Sequence, residues 1–174
     1  MRFLGIDPGL NKTGWGIINF ENGKLTYIAD GVIQTDANDS ISQRLLKIHN
    51  ELIAVVAEFK PQETAIEEIF VNKNPTSTLK LAQARGVAIL STSLQGLQVF
   101  EYSPNEIKKA VVGNGHAEKK QIATMIKILL SGYQHKSSDS ADALAIAICH
   151  AHSSVGKIKK SGIKTSTIKI SEAK

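Results

Sequence analysis

Arg2-Phe3-Leu4-Gly5-Ile6-Asp7-Pro8-Gly9 is an apolar run of strand length that ends on an acid and a turn, and the fold is read outward from it. Two more strand-like runs follow at 13–20 and 24–34. Gly9 and Asn11-Lys12 make the first turn between them, and Glu21-Asn22-Gly23 makes the second, a hairpin signal. The chain thus opens with an antiparallel meander. Asp39 or Ser40 then caps an amphipathic helix to about 59, with Leu45, Ile48, Leu52, Val55, Val56 and Phe59 at helical spacing and Pro61 closing it. A fourth strand is expected at 63–69, a long helix at 76–95 and a short strand at 97–102. Ser103-Pro104-Asn105-Glu106 is a capping box that starts a helix ending at Gly113-Asn114-Gly115. Helices near 117–130 and 138–152 complete the order βββαβαβααα, the last apolar nearly all round and therefore buried. This order predicts one α/β domain over 1–152: a mixed sheet with an antiparallel opening meander, flanked by helices.

Acids fall at the ends of these core elements. Asp7 ends the first strand, Glu67 and Glu68 follow Thr64-Ala65-Ile66, and Asp139 and Asp142 open the last helix. Strand alternation puts Phe3, Gly5 and Asp7 on one face; Glu63, Ala65 and Glu67 share a face of the fourth strand, and Glu68 takes the other. Only one of the two glutamates can point toward Asp7, and the small residues two back (Gly5 and Ala65) weakly favour Glu67. A strand end reaching solvent would account for either acid alone. Asp139 and Asp142 are helical neighbours, and first-turn carboxylates commonly complement the helix dipole. Together, on three core elements, such acids repel one another and lose hydration, so a cation should compensate. Mg²⁺ suits an all-oxygen donor set, and two ions about 3.5–4 Å apart can activate water, neutralise a phosphate and stabilise a leaving oxygen. No histidine or cysteine spacing suggests zinc, and His150 and His152 read as structural or exposed.

Composition bounds the setting. An apolar fraction of 42% and a charged fraction of 21% over 174 residues suit one soluble domain with a core of its own. The single cysteine, Cys149, lies in an apolar helix, so no disulfide framework exists and a reducing compartment is expected. Neither a signal peptide nor an apolar stretch of roughly 20 residues is present, which predicts a cytoplasmic protein with no membrane association. Residues 153–174 hold six lysines against Glu172 alone and account for the whole net charge of +5. That segment reads as a disordered tail, either solubilising or loosely attracted to nucleic acid.

The opening Asp7-Pro8-Gly9 to Gly14 also fits actin-like and sugar-kinase ATPases, which hold phosphates on a similar turn. Those enzymes need two lobes and a second phosphate loop, for which this chain is too short.

Leu4-Gly5-Ile6-Asp7-Pro8-Gly9, Ala65-Ile66-Glu67-Glu68-Ile69-Phe70, Leu79-Lys80-Leu81-Ala82-Gln83-Ala84-Arg85-Gly86 and Asp139-Ser140-Ala141-Asp142-Ala143-Leu144-Ala145 together resemble the RuvC Holliday junction resolvase family. The resemblance runs in order through 1–152 and leaves out the lysine tail. It implies an RNase H-like fold and a homodimeric, Mg²⁺-dependent endonuclease of four-way DNA junctions, with two ions per site and Mn²⁺ as a substitute. It selects Glu67 over Glu68 and gives Asp7, Glu67, Asp139 and Asp142 as catalytic, metal-binding acids, although some members carry histidine at the position of Asp139. It further implies base stacking by Phe70, phosphate contacts by Lys108 and Lys119, and RuvA and RuvB as branch-migration partners; a non-catalytic junction-binding module is the other competing class.

Overall fold

The structure, a computed structural model, describes residues 1–69, 75–135 and 137–161, with side chains as far as 154. Five strands form one sheet: β1 (Arg2–Asp7), β2 (Lys12–Glu21), β3 (Lys24–Gln34), β4 (Glu63–Glu67) and β5 (Gln98–Tyr102), in the order β3-β2-β1-β4-β5. β1 to β3 make the expected antiparallel meander, and the hairpin turn at Asn22-Gly23 has both residues at positive φ. β4 and β5 add in parallel beside β1, each after a helical crossover. The sheet is therefore mixed.

Helices α1 (Ile41–Phe59) and α2 (Pro75–Leu94) cover one face. Leu4, Ile6, Ile17 and Ile66 of the sheet bury against Ile48 and Leu52 of α1 and Ala84 and Ala88 of α2. At roughly 1.5–3 kcal/mol per fully buried aliphatic side chain, this burial holds α1 far more strongly than propensity could. Ser40 is the cap, in a reciprocal box with Gln43, and Lys60 in the left-handed conformation ends the helix.

The other face carries α5 (Ser138–Ser161), with α3 (Pro104–Val112) and α4 (Lys119–Leu129) packed beside it. Phe3, Ile18 and Ala65 meet Leu144, Ile148, Ile107 and Ile126 there. The last helix is buried, as its composition implied, but it continues past the end expected at 152. Residues 153–161, read from sequence as part of a disordered tail, are helix. The run from Ser153 lacks proline, so nothing in it forbids the helix from continuing. Residues 162–174 lie outside the described residues. β4 is also shorter than expected: after Glu67, Glu68 N–H donates once more to the Tyr102 carbonyl (2.8 Å) before the strand stops.

Two glycines decide how closely α5 lies. A Cβ on Gly5 would overlap the Ala143 carbonyl, and one on Gly14 would overlap the Asp139 carbonyl. Both belong to the sheet face that carries Asp7, because Gly14 pairs with Asp7 and Gly16 with Gly5. The first turn of α5 is thereby pressed against β2 at the level of Asp7. No described helix is long and apolar enough to cross a membrane.

Candidate active site

The acids converge through register. In the parallel β1–β4 pair Gly5 faces Ala65 and Ile6 faces Ile66, so the next residues, Asp7 and Glu67, stand side by side on the α5 face. Glu68 points to the opposite face. The small side chains at Gly5 and Ala65 leave the space that α5 fills, and α5 delivers Asp139 beside Gly14, one strand over from Asp7. Asp142 follows one turn along, on the side toward Glu67. All four carboxylates thus meet at the C-terminal ends of the parallel strands, and the N-terminus of α5 adds its positive dipole end.

The electrostatics record how close they come. The Asp7 carboxyl is pushed up to about 7, first by burial and then by the charges of Asp142, Glu67 and Asp139, with Lys119 pulling the other way. Glu67 is raised by burial and by Asp142, against Lys108 and Lys119. Asp142 is raised by burial; Lys119 and His135 oppose the shift while Asp139 adds to it. Asp7 and Glu67 are carboxylates under burial and like-charge repulsion, while Asp142 is partly offset by Lys119.

A cleft of about 480 Å³ runs beside them, lined among others by Glu67, Asp142, Lys108, Lys119 and Ile107. Lys119 opens α4, and its Nζ lies 3.6 Å from Asp142 Oδ2, with the side chain 84% exposed. Such an exposed pair is weak, so the ammonium is free to exchange partners. Lys108 and Lys119, both singled out by sequence, therefore share one cleft with two of the acids. Phe70 lies outside the described residues.

Among the described residues, no group of three His, Cys, Asp or Glu side chains is drawn tightly enough together to hold a metal ion unaided. The donor chemistry nevertheless fits a hard cation: four carboxylates from three elements, flanked by lysines. Mg²⁺ commonly takes only one or two carboxylates and completes its shell with water and substrate phosphate.

Three site features escaped the sequence reading. Arg85 of α2 donates from Nε to the Glu67 carbonyl (2.9 Å) and pairs through Nη2 with Glu101, which fixes the end of β4. His135 stands beside Asp142. Lys12 and Lys80 line a groove on the far side of Asp139. Arg85 and Lys80 fall within a quoted stretch, but their contacts lie across strands and helices, where periodicity gives no signal. His150 is buried between Tyr102 and Glu63, and His152 Nδ1 lies 3.1 Å from the Ala110 carbonyl, in keeping with the structural or exposed reading of both.

A mixed five-stranded sheet with acids gathered where β1, β4 and α5 meet defines an RNase H-like nuclease. The family model for crossover junction endodeoxyribonuclease RuvC matches residues 3–150. The RuvC of Paramagnetospirillum magneticum is 53% identical over 152 residues, covering 87% of this chain and 92% of that protein. That of Rhodospirillum rubrum is 51% identical over 158 residues, covering 91% and 94%. Among solved structures, T. thermophilus RuvC in complex with Holliday junction substrate is similar at a TM-score of 0.84 and 31% identity, over 90% of this chain and 96% of that one. The chain belongs to the RuvC family of crossover junction endodeoxyribonucleases.

Proposed function

We propose that this protein resolves four-way (Holliday) DNA junctions by paired symmetric nicks, with Asp7, Glu67, Asp139 and Asp142 as its catalytic, metal-binding acids. What supports the reading is the convergence of these acids from β1, β4 and α5, two of them (Glu67 and Asp142) in one cleft with Lys108 and Lys119, in a chain of the RuvC family. Bound Mg²⁺, two ions per site and replaceable by Mn²⁺, supplies activation of a water, neutralisation of charge on the phosphate and stabilisation of the leaving oxygen. Asp7, coupled to all three other acids, is the central ligand, and Glu67 and the α5 acids flank it from either side. Lys108 and Lys119 hold phosphate oxygens of the strand being cut. Direct attack by water, without a covalent enzyme intermediate, leaves a 5′-phosphate and a 3′-hydroxyl that a ligase can seal.

The four-way junction is close to two-fold symmetric, and a C2 homodimer presents two sites related by the same operator. On α2, Leu79 (65% exposed), Leu90 (57%) and Leu94 (65%) form an apolar stripe suited to that contact, while Ala84 and Ala88 pack inward on the sheet. Phe70, two residues beyond Glu68, stacks on unpaired bases at the opened crossover. The protein acts in the cytoplasm beside the branch-migration proteins RuvA and RuvB.

The test is incubation with a synthetic four-way junction and a matched linear duplex, with and without Mg²⁺. Paired, ligatable nicks in the junction alone, and only with the metal, are expected. Tight junction binding with no nicking would instead make the chain a binding module, and nucleotide turnover without DNA would make it an ATPase. Phe70→Ala should slow nicking more than it weakens binding; unchanged nicking would return Phe70 to a packing role.

A further inference from the structure

The cleft with Lys108 and Lys119 lies on the Glu67–Asp142 side of the acids. A second groove, of about 460 Å³, opens on the Asp139 side, bounded by Gly9, Asn11 and Lys12 of the β1–β2 turn and Ser77 and Lys80 of α2. A strand lying across the four acids must leave the site on this side. We propose that Lys12 and Lys80 form a second phosphate-binding subsite, which grips the DNA strand across the acids from Lys108 and Lys119. This rests on the nuclease reading above.

Three observations support the subsite. Lys12 and Lys80 are exposed, and neither forms an ion pair among the described residues. The turn that carries Lys12 is unusually well anchored for a surface turn. Thr13 Oγ1 donates to the Gly9 carbonyl (2.8 Å), Thr35 Oγ1 donates to the Leu10 carbonyl (2.5 Å), and Thr35 N–H donates to the Asn11 carbonyl (3.1 Å). Behind them Arg44 of α1, only 6% exposed, donates to Thr35 Oγ1 (2.9 Å) and to Asn11 Oδ1. Among the described residues this buried guanidinium meets neutral oxygens and no carboxylate, so it keeps its field and adds a third positive charge behind the groove.

Lys80 is placed by helical spacing. It belongs to the stripe of Ala84 and Ala88, which pack on the sheet, but one turn earlier, where it lines the groove. That stripe differs from the exposed Leu79–Leu90–Leu94 stripe, so a partner docked on the leucines leaves Lys80 facing the groove. Two cations on one side of the acids and two on the other would hold the intervening phosphate without touching any base.

The experiment reads junction binding in full-length protein carrying Asp7→Asn, so that cutting does not intervene. Single methylphosphonates, which remove one phosphate charge, are walked along the junction strands. Lys12→Gln, Lys80→Gln and Lys119→Gln are tested against each, with Lys24→Gln as a distant exposed control and thermal melts to confirm folding. Combined, Lys12→Gln and Lys80→Gln should lower the slope of log affinity against log salt by about 1.5, since each phosphate contact contributes roughly 0.7–0.9. Each should also lose its effect when a methylphosphonate replaces the phosphate it contacts. The phosphates coupled to Lys12 and Lys80 should lie further along the strand than those coupled to Lys119. Coupling to the same phosphates as Lys119, or to none, overturns the subsite. Failure of the wild-type protein to cut any junction would sink the nuclease reading instead, while the binding coupling would still decide the groove.

Discussion

Glu63 and Glu67 stand four residues apart on β4, on the same face and under the same helix, yet they live in opposite environments. Glu63 Oε2 lies 2.7 Å from His150 Nε2, whose Nδ1 lies 2.8 Å from the Tyr102 hydroxyl, and the imidazole packs against Phe3 and Phe100 with ring centroids 4.7 and 4.5 Å away. Glu67 meets Asp142 and Asp7, and burial raises it further. The first residue of β4 sits in a satisfied polar network that locks the middle of α5 to the sheet. The last residue sits where like charge concentrates, offset only in part by Lys108 and Lys119. An identical residue on one strand is thus structural at one end and poised for function at the other.

The largest effect should come from the frustrated end. Asp7→Asn removes the carboxylate coupled to all three other acids, and cleavage in Mg²⁺ should fall on the order of 10³-fold. Junction binding should be largely kept, because phosphate contacts supply most of the affinity. Nicking assays beside gel-shift titrations separate the two, and a fully active variant would remove Asp7 from the site.

Stability should show the reverse asymmetry. His150→Ala deletes a ring that is 2% exposed and strands Glu63, so denaturant unfolding should show a loss of about 2–4 kcal/mol. Glu67→Gln, at the other end, removes a repelled charge and should leave metal-free stability unchanged or improved while abolishing cleavage. Equal destabilisation by the two variants would erase the contrast between the two ends of β4.

The same contrast predicts a pH dependence in EDTA. Asp7 has its folded pKa raised from 3.8 to about 7, so between those values the folded state holds a proton that the unfolded chain has released. Stability from this group is complete below about pH 4 and is lost as the pH rises through 7. Asp7→Asn should therefore be more stable than wild type at pH 8, by about 1–2 kcal/mol once solvent screening is allowed for, and the difference should vanish near pH 4. A pH-independent difference would show that Asp7 is not strained by its neighbours.

Much of this was legible in the chain because it is local. Strand and helix order, the Ser40 and Ser103 caps and the buried last helix follow from periodicity and capping chemistry that act over a few residues. The residues alone gave only a faint cue for Glu67 over Glu68, the small residues at Gly5 and Ala65, and the family resemblance made the choice; the close approach of α5 explains why Gly5 is small. The end of α5 was misplaced because a serine- and lysine-rich run has the composition of a tail and also the propensity to extend a helix already nucleated by a buried segment. Arg44, Arg85 and the Glu63–His150–Tyr102 network were invisible for another reason. Their partners are 9 to 87 residues away in sequence, and pairing across such distances depends on register that no local pattern encodes.

Arg85 offers the smallest and most discriminating test. Its Nε holds the Glu67 carbonyl and its Nη2 holds Glu101, so it fixes the last residue of β4 without touching a carboxylate of the site. The Glu101 side chain is 52% exposed, and the pair itself should contribute little to stability. If the role of Arg85 is to position Glu67, Arg85→Gln should lower cleavage about 10-fold and raise the Mg²⁺ concentration needed for half-maximal rate, with junction affinity and melting temperature nearly unchanged. Arg85→Lys, which keeps the charge and one donor, should recover part of the loss. A drop in melting temperature with no change in Mg²⁺ requirement would move Arg85 to the stabilising side of the comparison, with Glu63 and His150.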